Sequence, residues 1–298
     1  MRKEFSEEVA VYLSQNPDAY FLTGDLGFAA LEPVREAAGE RFINAGVAEQ
    51  NMVGVAAGIA YTGQEVFVYS IAPFAVYRCL EQIKIDVCVH RLPVYVVGNG
   101  GGYGYGIMGA THHAIEDIAC LSGLPNMHCW IPAFAEDVKY CLERMTSMKR
   151  PGYLRLGAGR SHAYQKPIAD INDIRKSDKA RLTIVAMGPV VQNVLDAIDG
   201  IDVDLFTVLS VPLIEPDGLL ESIRKSGRLM IVEEHVQRGG FGEHVVSILL
   251  SRNALPPVVK CLYALGYPSG NYGSQKFHQK ESGLDSASIR SEIENIIR

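Results

Sequence analysis

Residues 100–113 read GGGYGYGIMGATHH, six glycines followed by two adjacent histidines. Several chemistries could use such a loop. Gly104, Gly106 and Gly109 satisfy G-x-G-x-x-G, the turn that brings backbone amides to a dinucleotide pyrophosphate. The loop follows the strand-like PVYVVG, as that chemistry requires. The next strand-like run, HCWIP, however ends at Pro132, where an acidic residue should hold the ribose. No G-x-x-x-x-G-K-[ST] occurs, which excludes a P-loop. As metal ligands, His112 and His113 lack the i, i+4 partner and acidic neighbour of H-E-x-x-H, which argues against zinc. A neutral imidazole beside bare, glycine-rich backbone is better suited to hydrogen-bonding a polar ligand. The plainer alternative is a pair of histidines capping the start of a helix.

Other side chains could join that chemistry. Glu49 lies in VAEQNMVGVAAGIAYT, where Val47, Ala48, Met52, Val53, Val55 and Ala56 make an apolar helical setting. A carboxyl group there is expected to have a raised pKa, suited to sharing a proton with a ring nitrogen. The alternative is a surface glutamate on a helix. Phe74 and Tyr77, three apart, share a face if their segment is helical, as an aromatic shelf or as ordinary core. Arg78 and Arg155 are credible bidentate anion binders, and equally credible surface ion-pair partners.

Two alternating strand–helix series must position these residues. In the first, DAYFLTGDL, QEVFVYSI, LPVYVVG, HCWIP and GYLRLG read as strands. Residues 47–62, AVYRCLEQIKIDVCV, HHAIEDIACLSG and AEDVKYCLERMTSM read as helices. After a polar stretch, 161–180, come the strands RLTIVAMG, DVDLFTVLS, RLMIVEEH and VVKCLYALG, with helices between and a final helix, SASIRSEIENIIR. Short apolar strands alternating with helices predict an α/β protein of two domains, each a largely parallel sheet flanked by helices. The expected boundaries are 1–160 and 181–298, with 161–180 as linker.

Bulk properties narrow the partners. The net charge of −6 argues against nucleic acid. No apolar run reaches the length of a membrane span. The N-terminal MRKEFSEEVAVYL is too short and acidic for a secretion signal. Six scattered cysteines without a C-x-x-C pair read as small core residues in a reducing compartment, so a cytoplasmic chain is expected.

Three segments taken together carry a resemblance. RFINAGVAEQNMVGVAAGIAYTG (41–63) resembles the signature of the pyrimidine-binding domain of transketolases. YSIAPFAVYRCLEQIKIDV (69–87) resembles the aromatic segment that follows it. GIMGATHHAIEDIACLSGLPNM (106–127) is similar to the family's G-x-D-G-[PA]-T-H-Q stretch. EEHVQRGGFGEHV (233–245) resembles the family's C-terminal domain, so the likeness covers nearly the whole chain. Missing is the G-D-G…N motif of the domain that holds thiamine diphosphate by its diphosphate and a divalent metal. The chain therefore looks like one subunit of a split transketolase.

The resemblance implies a cofactor, thiamine diphosphate, lying between this chain and a separate N-terminal subunit that binds the diphosphate and a divalent metal such as Mg2+. It implies an α2β2 heterotetramer acting on sugars or sugar phosphates, with a two-carbon ketol unit passing from a ketose to an aldehyde. Glu49 matches the glutamate that faces N1′ of the aminopyrimidine and makes the ring's 4′-imino group the base that activates thiamine. Phe74 and Tyr77 match its aromatic shelf. His112 matches the histidine that bonds donor oxygens, and Arg78 and Arg155 match phosphate-side arginines. The departures concern substrate. Met108 stands for an aspartate that contacts a donor hydroxyl, which a thioether cannot replace. Gly100 falls near another substrate histidine, His113 stands for Gln, Ile71 for an aromatic, and Ala158 for the second arginine of R-x-x-R. A non-standard substrate is expected. Two other readings are a decarboxylating carboligase or 2-oxo-acid dehydrogenase beta-type subunit, and a non-catalytic paralogue. Retention of Glu49 argues against the last.

Overall fold

The computed structural model describes residues 1–27, 29–213 and 216–298. The elements run α1 (Arg2–Gln15), β1 (Ala19–Thr23), α2 (Glu32–Ala38), β2 (Phe42–Asn44), α3 (Glu49–Tyr61), β3 (Glu65–Ile71) and α4 (Ala72–Val76). A short α5 (Leu80–Gln82) continues as a π-helical stretch, Ile83–Cys88. Then come β4 (Val94–Asn99), α6 (Asp117–Ser122), β5 (His128–Trp130), α7 (Asp137–Met148) and β6 (Gly152–Leu156). The second half holds β7 (Ile171–Arg175), β8 (Thr183–Met187), α8 (Val191–Ala197), β9 (Asp204–Val208), β10 (Ser210–Val211) and α9 (Asp217–Ser226). It ends with β11 (Arg228–Glu233), α10 (Phe241–Ser251), β12 (Val258–Leu262), α11 (Gln275–Glu281) and α12 (Ser286–Ile297).

These strands make two sheets. The first has the order β10-β5-β6-β4-β3-β1-β2 and is parallel except for β10. The second has the order β12-β11-β8-β9-β7 and is parallel except for β7. Alternate residues of each central strand enter opposite cores, which is why those strands read as unbroken apolar runs. Phe67 and Tyr69 pack with Phe5 and Val9 of α1, whereas Val66 and Val68 pack with Met52, Val53 and Ala56 of α3. Ile184 and Val185 divide the same way, so both cores run through both domains.

Three details differ from expectation. Residues 171–175, inside the polar stretch read as linker, form β7, an edge strand whose half-exposed residues hid its pattern. β10 leaves the second half of the chain to pair with β5 of the first sheet. The helix read from His112 begins only at Asp117, because Ala114 forms a bridge with Gly102 instead. All six cysteines are free, four of them buried. Among the described residues no helix is long and apolar enough to cross a membrane.

Candidate active site

The parallel strands of the first sheet end together, and the crevice outside their carboxyl ends is where such sheets bind ligands. Gly24 follows β1, Asn44 ends β2, Ser70 and Ile71 end β3, and Asn99 ends β4. Glu49 opens α3 at this edge, so its carboxylate sits at a helix N-terminus, where the backbone dipole favours negative charge. It is only 4% exposed, with Ser70 Oγ at 3.4 Å. Gly24, just after β1, passes within van der Waals reach of the Glu49 side chain.

Phe74 lies one turn into α4, immediately after β3, because Pro73 fits the first turn of a helix. The Arg78 guanidinium lies over the Phe74 ring, 3.7 Å from its centroid, and its Nη1 is 3.0 Å from Glu49 Oε2. The apolar setting expected of Glu49 is thus closed by a cation. In the free chain Arg78 fills the space between the proposed shelf and the proposed carboxyl. Tyr77 is half-buried, and its hydroxyl donates to Glu116 Oε2 at 2.9 Å. Burial, with Asp117 and Glu116 nearby, raises its pKa.

His112 meets Phe74 edge-on, with ring centroids 5.2 Å apart. Its Nδ1 pairs with Thr111 Oγ1 at 2.9 Å, and its Nε2 makes no hydrogen bond among the described residues. The preceding turn, Gly106–Thr111, is 3-10 helical except at Gly109, whose φ of +72° and contact with the Tyr272 ring both require glycine. Met108 is 53% exposed on that turn. Glu49, Phe74, Arg78 and His112 therefore meet in one cluster, with Met108 at its rim.

Two expected substrate contacts lie elsewhere. His113 is buried. Its Nε2 is 2.7 Å from the Gly106 carbonyl, to which it donates, and its Nδ1 is 2.9 Å from the Tyr267 hydroxyl. Burial lowers its pKa, so it is a neutral structural post beneath the loop. Arg155 is also buried, and its guanidinium faces Asp117 Oδ2 at 2.9 Å and the carbonyls of Ala114 and Glu234 at 2.7 and 3.0 Å. A side chain so enclosed is not available to a substrate anion.

These partners give the C-terminal domain a task that the sequence did not disclose. Glu234, immediately after β11, accepts from the Tyr103 amide at 2.6 Å and from Gln275 and Gln279. The Tyr103 hydroxyl bonds to the Gly266 carbonyl and to Ser282. His235 Nε2 accepts from the Ala119 amide at 3.2 Å, and Tyr153 donates to Asp117 at 2.6 Å. The glycine loop is thus pinned from below by residues of the second domain. No short-range signal marked them, since each depends on a partner distant in sequence or buried in the core. Among the described residues no group of three His, Cys, Asp or Glu side chains could hold a metal ion.

Comparison with known proteins agrees with this architecture. Residues 1–161 match the family model of the transketolase pyrimidine binding domain, and residues 173–289 that of the transketolase C-terminal domain. The chain is 30% identical over 302 residues to an apulose-4-phosphate transketolase subunit of Phocaeicola vulgatus, covering 97% of this chain and 94% of that one. It is 32% identical to the protein of the same name from Actinobacillus succinogenes, over 84% and 83% of the two chains. Among solved structures it resembles a split gene transketolase described as an inactive beta4 tetramer. That match has a TM-score of 0.84 and 27% identity, over 99% of this chain and 97% of the other. The chain belongs to the transketolase family, as the thiamine-dependent transferase subunit that carries the pyrimidine-binding and C-terminal domains of a split transketolase and works with a separate partner subunit.

Proposed function

We propose that this chain holds the aminopyrimidine half of thiamine diphosphate against Glu49 and Phe74, while the partner chain holds the diphosphate and a divalent metal such as Mg2+. The observation that carries this reading is the juxtaposition of Glu49, nearly excluded from water at the start of α3, with the ring of Phe74, which Arg78 covers in the free chain, and with His112 Nε2, unbonded among the described residues. The donor set fits the group: a buried carboxylate to share a proton with a ring nitrogen, and an aromatic ring to receive a flat ring once Arg78 turns away. When bound, the cofactor supplies a nucleophilic carbon that accepts the two-carbon ketol unit. Glu49 holds the proton at the pyrimidine nitrogen, Phe74 orients the ring, and His112 Nε2 bonds a substrate oxygen. Tyr77 braces the wall through Glu116. Arg78, once released from Glu49, is the cation left to face a phosphate.

The substrate pair we propose is a ketose monophosphate donor and an aldehyde acceptor. The names of the two relatives make apulose 4-phosphate the first to test. Met108 at the rim and Gly100 beneath Tyr105 support a departure from ordinary pentose phosphates. We propose an α2β2 assembly from the likeness to a split gene transketolase described as a tetramer, with Val47 and Tyr61, 76% and 74% exposed at the two ends of α3, as apolar surface for the partner to cover. Six free thiols suit a cytoplasmic location. The test is reconstitution with the diphosphate-binding chain, followed by two-carbon transfer from apulose 4-phosphate. Glu49→Ala should abolish transfer and leave the assembly intact; unchanged turnover refutes the assignment. Rapid turnover of xylulose 5-phosphate with ribose 5-phosphate would refute the non-standard substrate.

A further inference from the structure

The loop contains a polar group that neither the family signature nor the cluster above uses. Tyr105 is half-buried beside His112, with ring centroids 5.7 Å apart, and His112 in turn touches Phe74. The Tyr105 ring lies over Gly100: a Cβ built there would come within 2.1 Å of Cε2. Gly100 also has a φ of +77°, so the absence of a side chain at 100 and the seating of the phenol at 105 are one construction.

The hydrogen bond to the phenol has a direction. Asn99, at the end of β4, donates from Nδ2 to the Tyr105 oxygen at 2.8 Å. The phenol oxygen is the acceptor, so its own O–H proton is left to donate, and no acceptor takes it among the described residues. Burial raises the pKa of this phenol, which keeps it a donor at neutral pH. The loop that carries it is neutral. No residue from 99 to 113 carries a fixed charge, and Arg155 is committed to Asp117. The loop itself offers a phosphate no cation, Arg2 of α1 and Arg78 over Phe74 being charges beside it, whereas an uncharged hydroxyl would find a donor (Tyr105) beside an imidazole (His112).

We propose that Tyr105, aimed by Asn99, is a specificity-determining residue that donates a hydrogen bond to a hydroxyl on the ketose carbon chain beyond the transferred two-carbon unit. The inference rests on the transketolase reading above. Tyr105 thereby supplies the polar contact that Met108 cannot.

The experiment uses the full chain assembled with its diphosphate-binding partner and thiamine diphosphate. Apulose 4-phosphate and xylulose 5-phosphate serve as ketose donors. Hydroxypyruvate serves as a donor of the same ketol unit with no hydroxyl chain behind it. Tyr105→Phe should lower the ratio of kcat/KM on the better ketose to that on hydroxypyruvate by about tenfold or more, the worth of one well-made hydrogen bond. Asn99→Asp should lower the same ratio with the phenol still present, because the carboxylate would accept the hydrogen bond that the phenol otherwise gives to substrate. The dissociation constant of thiamine diphosphate should stay within about twofold in both. Equal losses on ketose and hydroxypyruvate would show a merely structural role and overturn the proposal, as would no loss on either. A wild-type pair that transfers from neither donor kind overturns the transketolase reading itself, and the proposal with it.

Discussion

Arg78 Nη1 stands 3.0 Å from Glu49 Oε2, and the same guanidinium covers the Phe74 ring. One side chain thus engages both groups proposed to receive the aminopyrimidine. A carboxylate 4% exposed needs a counter-charge or donors. In the free chain Arg78 is that counter-charge, and on the proposed reading binding the pyrimidine exchanges it for a ring nitrogen. Arg78 is itself 45% exposed, so it has room to turn outward. Arg78→Ala removes the competitor. Thiamine diphosphate should bind the assembled pair about threefold to fivefold tighter, in keeping with a half-exposed ion pair worth about 1 kcal/mol at most. Titration calorimetry reads this directly. kcat/KM for a ketose phosphate should fall by about tenfold or more if the freed arginine meets the phosphate. Weaker cofactor binding in the variant would contradict the exchange.

The Asp117–Arg155 pair lies inside the first domain, where Arg155 also reaches the Glu234 carbonyl of the second, and should behave as a buried ion pair. Removing one partner leaves the other charge uncompensated, so Asp117→Ala should cost about 3–5 kcal/mol in denaturant unfolding. The double variant Asp117→Leu with Arg155→Met should recover most of that loss, because desolvating the pair offsets much of its attraction. A double variant no more stable than Asp117→Ala would show that the carbonyl contacts of Arg155 dominate instead. The same measurement bears on function. Were Arg155 a substrate contact, Arg155→Met would raise KM for the phosphate with little effect on stability.

The sequence made Glu49, Phe74 and His112 legible because each sits in a contiguous signature whose local structure is set by neighbours: a helix start, a Pro73-led turn, a glycine-hinged turn. Arg155 and His113 look the same at that level, yet they point away from the crevice. Their directions are set by Asp117, Glu234 and Tyr267, and no spacing rule connects those positions. β7 was hidden for another reason: an antiparallel edge strand of INDIR composition has little apolar periodicity to read. Tyr105 gives no signal without Gly100, since a tyrosine in a glycine run declares itself only when its ring is seen to fill the missing side chain's place.

His113 offers a clean separation of support from contact. It donates to Gly106 and is paired with Tyr267, and its ring meets Tyr103 and His278 edge-on. His113→Phe keeps the volume and loses the hydrogen bonds, so stability should drop by about 1–3 kcal/mol as Gly106 and Tyr267 are left unpaired. Because the loop is then less well held, kcat should fall by more than KM rises. Denaturant unfolding alongside steady-state kinetics checks both. A large KM effect at unchanged stability would return His113 to the substrate.

Acid should loosen the junction between the domains. Burial lowers the pKa of His235 to about 4 and that of His128 to about 4. His235 is built to stay neutral: Nδ1 donates to the Val236 carbonyl at 2.8 Å, while Nε2 accepts from the Ala119 amide. The unfolded chain takes up a proton on each imidazole below about pH 6.5, and the folded chain does so only near pH 4. Within that window acid favours the unfolded state, by about 1.4 kcal/mol per pH unit for each histidine. Glu233 works in the opposite sense. Burial lifts its carboxyl from 4.5 to about 7 despite the amides of Phe241 and Gly242, so its contribution shrinks as pH rises toward 7. The net slope is therefore best dissected by substitution. His235→Gln should be less stable at pH 7, having lost a fitted imidazole, but should lose stability less steeply between pH 6.5 and 4. Glu233→Gln should steepen the acid limb. Urea unfolding at several pH values measures both, and parallel curves for wild type and His235→Gln would remove His235 as the acid-sensitive group.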